Sequence, residues 1–157
     1  MNGKPWSVAS LMQVHRKIAI DSNVLIYVLD GHERFGRQAA AVIDSMDGSG
    51  VTGSMATFGE MEVLAGHARD GDAARFERVA DEIRSIGLEL IPLDSSVAAD
   101  AAWLRGAGGL KPGDAIHVAS AKSAGATVIV TNDDRIRPRQ GLDVAYLVDL
   151  ELADEQA

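Results

Sequence analysis

Four acidic residues stand where a strand–helix protein would gather them: Asp21, Glu60, Asp114 and Asp133. Asp21 closes the apolar run Lys17-Ile18-Ala19-Ile20, and Asp133 follows Val128-Ile129-Val130-Thr131-Asn132. Glu60 opens a helix-like segment, and Asp114 begins Asp114-Ala115-Ile116-His117-Val118-Ala119. Carboxylates brought to one place repel each other, and desolvation adds to the cost, so an ordinary core does not tolerate them. If the four converge, a positive group must sit between them, and a divalent metal is the simplest candidate. The chain contains no cysteine. Oxygen donors without thiolates favour Mg²⁺ or Mn²⁺. The same absence excludes disulfides, thiolate metal centres and a cysteine nucleophile.

Taken singly, each acid has a structural role to offer. Asp21 could cap the next helix as readily as face a ligand. Thr57 and Glu60 have the spacing of a capping box, which would fix where Glu60 points. Glu62, four residues before Gly66, is a rival glutamate on a different helix face. Asp114 follows Lys111-Pro112-Gly113 and could cap its helix. His117, three residues on, could share a face with Asp114 and reads as a partly buried donor to the site rather than a zinc ligand. Asn132-Asp133 could simply turn the chain. Arg135, Arg137 and Arg139 could line the entry to an anionic site, though such a charge run is more often a solvated loop.

The elements that would position these residues alternate between strand and helix. Apolar strands are expected at Lys17–Asp21, from Val51, at Leu88–Leu93, at Thr127–Thr131 and at Val144–Val148. Between them, helical spacing places helices at Asn23–Leu29, His32–Met46, Thr57–His67, Asp72–Ile86, Ser95–Leu104 and Asp114–Ala124. Gly106–Gly113 reads as a glycine-rich loop. This alternation predicts an α/β domain, a mostly parallel central sheet flanked by helices. Ligands of such sheets bind beyond the carboxyl ends of the strands, where Asp21 and Asp133 lie.

The chain has 157 residues, 46 % of them hydrophobic, enough for one domain with a full core. The expected division is an extension over residues 1–16, a single α/β domain over 17–150 and an acidic tail over 151–157. Met12 stands just before the first strand and could serve as an alternative start. No apolar run approaches the length of a membrane span, and a cytoplasmic protein is expected. The net charge of −8 argues against a generally basic nucleic-acid surface, although a local basic rim is compatible with it.

In order and spacing, Ile20-Asp21-Ser22-Asn23, Thr57-x-x-Glu60, Gly113-Asp114-Ala115-Ile116-His117-Val118-Ala119 and Val130-Thr131-Asn132-Asp133 closely resemble the PIN domain family. Within it they resemble the VapC-type toxins of toxin–antitoxin pairs. The likeness runs from about Ile18 to Val148. It implies a metal-dependent endoribonuclease whose acidic positions fall on Asp21, Glu60, Asp114 and Asp133. Ser22 or Asn23, and Thr131 or Asn132, would support them. The family's helix combines Thr-x-x-Glu and Glu-x-x-x-Gly on one glutamate; here Thr57 selects Glu60 while Gly66 selects Glu62. Glu60 is preferred on its capping geometry.

The resemblance further implies Mg²⁺ or Mn²⁺ held by Asp21, Asp114 and Asp133, with Glu60 as ligand or water-orienting base. It implies an RNA substrate, a tRNA at family level, a cognate antitoxin and a homodimer. With only three Phe, two Trp and two Tyr, the chain has few stacking platforms for bases, so RNA shape and a few arginines would set specificity. Rival readings are a non-toxin PIN nuclease or phosphoesterase and a non-catalytic PIN-like binding module. A phosphatase with an aspartyl nucleophile would want a second Asp at position 23, where this chain has Asn23.

Overall fold

The computed structural model describes residues 6–152. The chain opens with β1 (Trp6–Ser7) and α1 (Val8–Val14), then runs β2 (Lys17–Ile20), α2 (Ser22–Leu29), α3 (Gly36–Met46), β3 (Thr52–Ala56), α4 (Thr57–Ala68) and α5 (Ala73–Ser85). It continues through β4 (Glu89–Ile91), α6 (Ser95–Gly106), α7 (Pro112–Ser123), β5 (Val128–Thr131) and β6 (Asp143–Tyr146). A 3-10 turn (Leu147–Asp149) leads into β7 (Leu150–Glu151). Strands β2 to β6 form one parallel sheet in the order β4-β3-β2-β5-β6. The expected α/β architecture is therefore the observed one.

The sheet is covered on both faces, and strand alternation sorts its side chains between them. Ile18 and Ile20 of β2, with Val128 and Val130 of β5, pack among Val24 and Leu25 of α2 and Ala39 and Val42 of α3. Ala19 and Ile129 face the other way, onto Val97 and Ala101 of α6 and Ala115, Val118 and Ala119 of α7. The small side chains of α7 let it lie close to the sheet, which brings its first turn to the ends of β2 and β5. From β2 the chain moves outward to β3 and β4, then returns to the opposite side of β2 as β5. The crevice between β2 and β5 is thus the switch point of the sheet, where such folds bind ligands.

Several boundaries differ from expectation for local reasons. The helix expected from His32 begins at Gly36. Gly31 takes a left-handed φ of 60°, and His32 Nδ1 accepts from the backbone N–H groups of Arg34 and Phe35, at 3.3 and 3.2 Å. The side chain thereby holds a turn in place of a first helical turn. Strand β4 stops at Ile91, one residue before Pro92, which has no N–H for a ladder. The helix expected from Asp114 starts two residues earlier at Pro112, a residue suited to a first turn.

The stretch expected to be an N-terminal extension is built into the domain over its described part. Trp6, Leu11 and Met12 are buried in the same cluster as Ile18, Val24 and Val42. Strand β1 pairs in parallel with β7, Trp6 opposite Leu150 and Ser7 opposite Glu151. The final strand expected at Val144–Val148 is accordingly split. It leaves the main sheet after Tyr146 and turns through Leu147–Asp149 to reach β1. Of the expected acidic tail, Glu151 belongs to β7 and Leu152 is buried; residues 153–157 lie outside the described ones.

Candidate active site

Asp21 follows β2 directly and caps α2, the structural role its position offered. Its carboxylate is 5 % exposed and held by three neighbours. Oδ1 accepts from the Ser22 backbone N–H at 2.7 Å. Oδ2 accepts from Thr131 Oγ1 at 2.7 Å and from Asn23 Nδ2 at 3.1 Å. Thr131 ends β5, the neighbour of β2, and also accepts from the Asp133 backbone N–H at 3.0 Å. Asn23 and Thr131 are therefore the side chains that hold the carboxylate most closely, and the Ser22 hydroxyl donates to Oδ1 at 3.4 Å. Asn132 points elsewhere, its Oδ1 accepting from the Val148 N–H.

The glutamate beside Asp21 is Glu62, not the expected Glu60. His117 Nε2 lies 2.9 Å from Glu62 Oε2 and 3.2 Å from Asp21 Oδ1, bridging the two acids. Glu60 lines an apolar groove with Met61, Leu64 and Phe76. The reason is where α4 starts. Ala56 precedes its first residue and no side chain caps it, so Thr57 lies inside the helix and the expected capping box does not form. Two residues along a helix turn the side chain by about 200°, so Glu60 and Glu62 cannot face the same way. Gly66, four residues after Glu62, is the cue that selects the glutamate lying beside Asp21. Gly59, one turn before Glu62, makes the approach possible: a Cβ there would meet His117 Cε1 at 2.9 Å.

Asp114 and Asp133 form the other half of the site. Arg135 grips Asp133 through Nε at 2.9 and 3.1 Å to the two carboxylate oxygens, and through Nη2, while its backbone N–H donates to Oδ1 at 3.0 Å. The same Nε lies 3.6 Å from Asp114 Oδ2. Burial and the charges of Asp133 and Asp21 push the Asp114 carboxyl above its ordinary range, against the pull of Arg135. That mutual influence ties Asp114, Asp133 and Asp21 into one electrostatic site. The hydrogen bonds from Arg135 hold Asp133 below its usual range despite burial.

The PIN domain family profile matches residues 18–140. The chain belongs to the PIN domain family. No curated protein sequence matches it significantly. Among solved structures, a toxin–antitoxin complex from Klebsiella pneumoniae is similar, with TM-score 0.63, 21 % identity, and 80 % of this chain and 94 % of that one covered. VapBC2 from Rickettsia felis, bound to a promoter DNA fragment, gives 0.67 and 15 %, covering 83 % and 98 %. DNA-bound VapBC from Salmonella typhimurium gives 0.63 and 20 %, also covering 83 % and 98 %. At these identities the likeness establishes the shared fold.

The residues of this PIN domain suit a metal ion. Asp21, Glu62 and His117 each offer a ligand atom, all within 4.8 Å of one another. Asp114 Oδ2 is buried without a hydrogen bond, a position that a cation would relieve. His117 has two faces in this respect. Neutral, its Nε2 is a ligand; protonated, it is a countercharge to Asp21 and Glu62. Burial disfavours the imidazolium, but the Glu62 hydrogen bond and the charges of Asp21, Glu62 and Asp114 together raise its pKa. Burial alone would raise Glu62, yet hydrogen bonds from His117 and Ser22 bring it below its ordinary value.

This coupling sets a pH dependence. A histidine whose folded pKa is raised contributes stability that is full below its unfolded value, about 6.5, and is lost as pH rises through the folded value. The urea midpoint of the metal-free protein is therefore expected to fall as pH rises from about 6.5 into the alkaline range. His117→Gln is expected to flatten that fall. An equal slope in both proteins would show that the imidazolium does not hold the acids together.

Proposed function

We propose that this PIN domain is a Mg²⁺- or Mn²⁺-dependent endoribonuclease, the toxin of a VapBC-type pair, acting on tRNA or another structured RNA. The observation that carries the reading is the convergence of Asp21, Glu62, Asp114 and Asp133 on the crevice between β2 and β5. The charges of Asp133 and Asp21 both act on Asp114, and a structural role does not call for such a cluster. PIN domains are generally nucleases, and the similar structures carry the names of toxin–antitoxin complexes. These likenesses support the toxin reading.

Asp21, Asp114 and Asp133 would hold the metal, which when bound supplies a polarised water and neutralises charge on the scissile phosphate. Thr131, Asn23 and the Ser22 N–H keep the Asp21 oxygens aimed without reorganisation. Glu62, its side chain 35 % exposed, faces the opening and is ionised at neutral pH. Its carboxylate would take the proton of the attacking water, with the His117 contact at Oε2 fixing its position.

An antitoxin would cover the acidic crevice, and the apolar groove on the Glu60 face of α4 offers it a further surface. That groove, about 430 Å³, lies between α4 and α5 and is lined by Thr57, Glu60, Met61, Leu64, Ala65 and Phe76. Homodimerisation and a cytoplasmic location belong to the same reading. No helix among the described residues is long and apolar enough to cross a membrane.

A pair of substitutions tests the site. Glu62→Gln is expected to lower RNA cleavage by about a hundredfold, the scale of a lost general base. Glu60→Gln, on the opposite helix face, is expected to leave the rate within about twofold, far below that scale. Equal losses in both, or loss only in Glu60→Gln, would place the glutamate wrongly.

A further inference from the structure

We propose that Arg135 is an internal latch on the acidic site, holding the oxygens of Asp133 in the metal-free protein and competing with the metal for them. The inference rests on the metal-dependent reading above. Each half of the site carries a basic group of its own: His117 lies between Asp21 and Glu62, and Arg135 lies over Asp133 and Asp114. The two differ in exposure. His117 is 4 % exposed and fixed in α7, whereas the Arg135 side chain is 49 % exposed.

Arg135 engages both Asp133 oxygens at once, so a metal taking either oxygen must compete with the guanidinium. The fork geometry of a guanidinium makes this grip bidentate, which an ammonium could not reproduce. Asp114 Oδ2, by contrast, accepts no hydrogen bond although the guanidinium is 3.6 Å away. The latch therefore screens Asp114 without satisfying it, and Asp114 can join Asp133 as a ligand once the arginine is displaced.

The backbone around the latch is anchored, so release needs only side-chain motion. Ile136 is fully buried, its N–H donates to the Asp133 carbonyl at 3.1 Å, and its carbonyl accepts from Tyr146 Oη at 2.7 Å. The arginine can leave while Asp133 stays aimed, because the Asp133 N–H is held separately by Thr131.

Calorimetric titration of Mn²⁺ into the whole chain tests competition directly. Arg135→Ala is expected to bind Mn²⁺ about two- to fivefold more tightly than the unaltered protein, the range of a half-exposed ion pair. Arg135→Lys, which keeps the charge but loses the fork, is expected to fall between them. In the unaltered protein, the Arg135 Nε–Hε resonance is expected to shift during a Mg²⁺ titration with the midpoint of metal binding. This second readout decides alone if Arg135→Ala does not fold. Equal or weaker Mn²⁺ binding by Arg135→Ala, or a resonance that ignores Mg²⁺, overturns the latch while leaving the metal site intact. Failure of the unaltered protein and both variants to bind Mn²⁺ overturns the metal reading, and the latch with it.

Discussion

Asp21→Asn is expected to lower RNA cleavage by at least about a thousandfold while the protein stays folded. The size follows from losing a ligand to a metal that contributes several kcal/mol to the transition state, at about 1.4 kcal/mol per tenfold. The fold should survive for reasons visible around the side chain. Asparagine keeps the shape and one acceptor oxygen, so the Ser22 N–H can still donate to it. The other position becomes an amide NH₂ facing Asn23 and the Thr131 hydroxyl, a mismatch costing about 1 kcal/mol or a little more. Removing the charge also relieves Asp114, whose carboxyl Asp21 helps to raise. A urea midpoint near that of the unaltered protein, together with lost cleavage, is the expected pair of results. Full cleavage by well-folded Asp21→Asn protein would remove Asp21 from the chemistry.

Starting the chain at Met12 is expected to be the most damaging change to stability. It deletes Trp6 and Leu11, which are 6 % and 0 % exposed in the main core, together with β1, the only partner of β7 among the described residues. Truncating one large buried side chain costs about 2–5 kcal/mol, so losing two should cost at least about 4 kcal/mol. That is a large share of the roughly 5–15 kcal/mol that stabilises a domain. Trp6 also packs edge-on against His15, with ring centroids 5.1 Å apart, so the turn leading into β2 loses its cover as well. Urea unfolding of both lengths measures the difference. Equal midpoints would mean that α1 and β1 lie on the domain without supporting it.

Much of this arrangement is readable in the residues. The strands β2 and β5 are short apolar runs ending in Asp21 and Thr131-Asn132-Asp133, and a parallel sheet obliges such endings to meet at one edge. Pro112-Gly113-Asp114 marks a helix start whose first turn must lie near that edge. Which glutamate joins them is decided by how α4 sits against its neighbours, because Glu60 and Glu62 lie about 200° apart around it. Local propensity favoured Thr57 as a cap, and tertiary packing of α4 through Gly59 onto His117 overrode it. The pairing of β1 with β7 is a contact between two-residue strands nearly the whole chain apart, which no local pattern announces. The role of His117 is intermediate. Its spacing from Asp114 placed it on the correct face, but the bridge from Asp21 to Glu62 depends on α4 and β2 meeting α7.

The most direct measurement is cleavage of total RNA by the purified protein with Mg²⁺ or Mn²⁺, beside the same reaction with EDTA. Discrete fragments that appear only with the metal are the predicted result, and their ends would identify the target. An absence of fragments from a protein that binds Mn²⁺ would contradict the ribonuclease reading. Fragments of unchanged yield in EDTA would contradict the metal site.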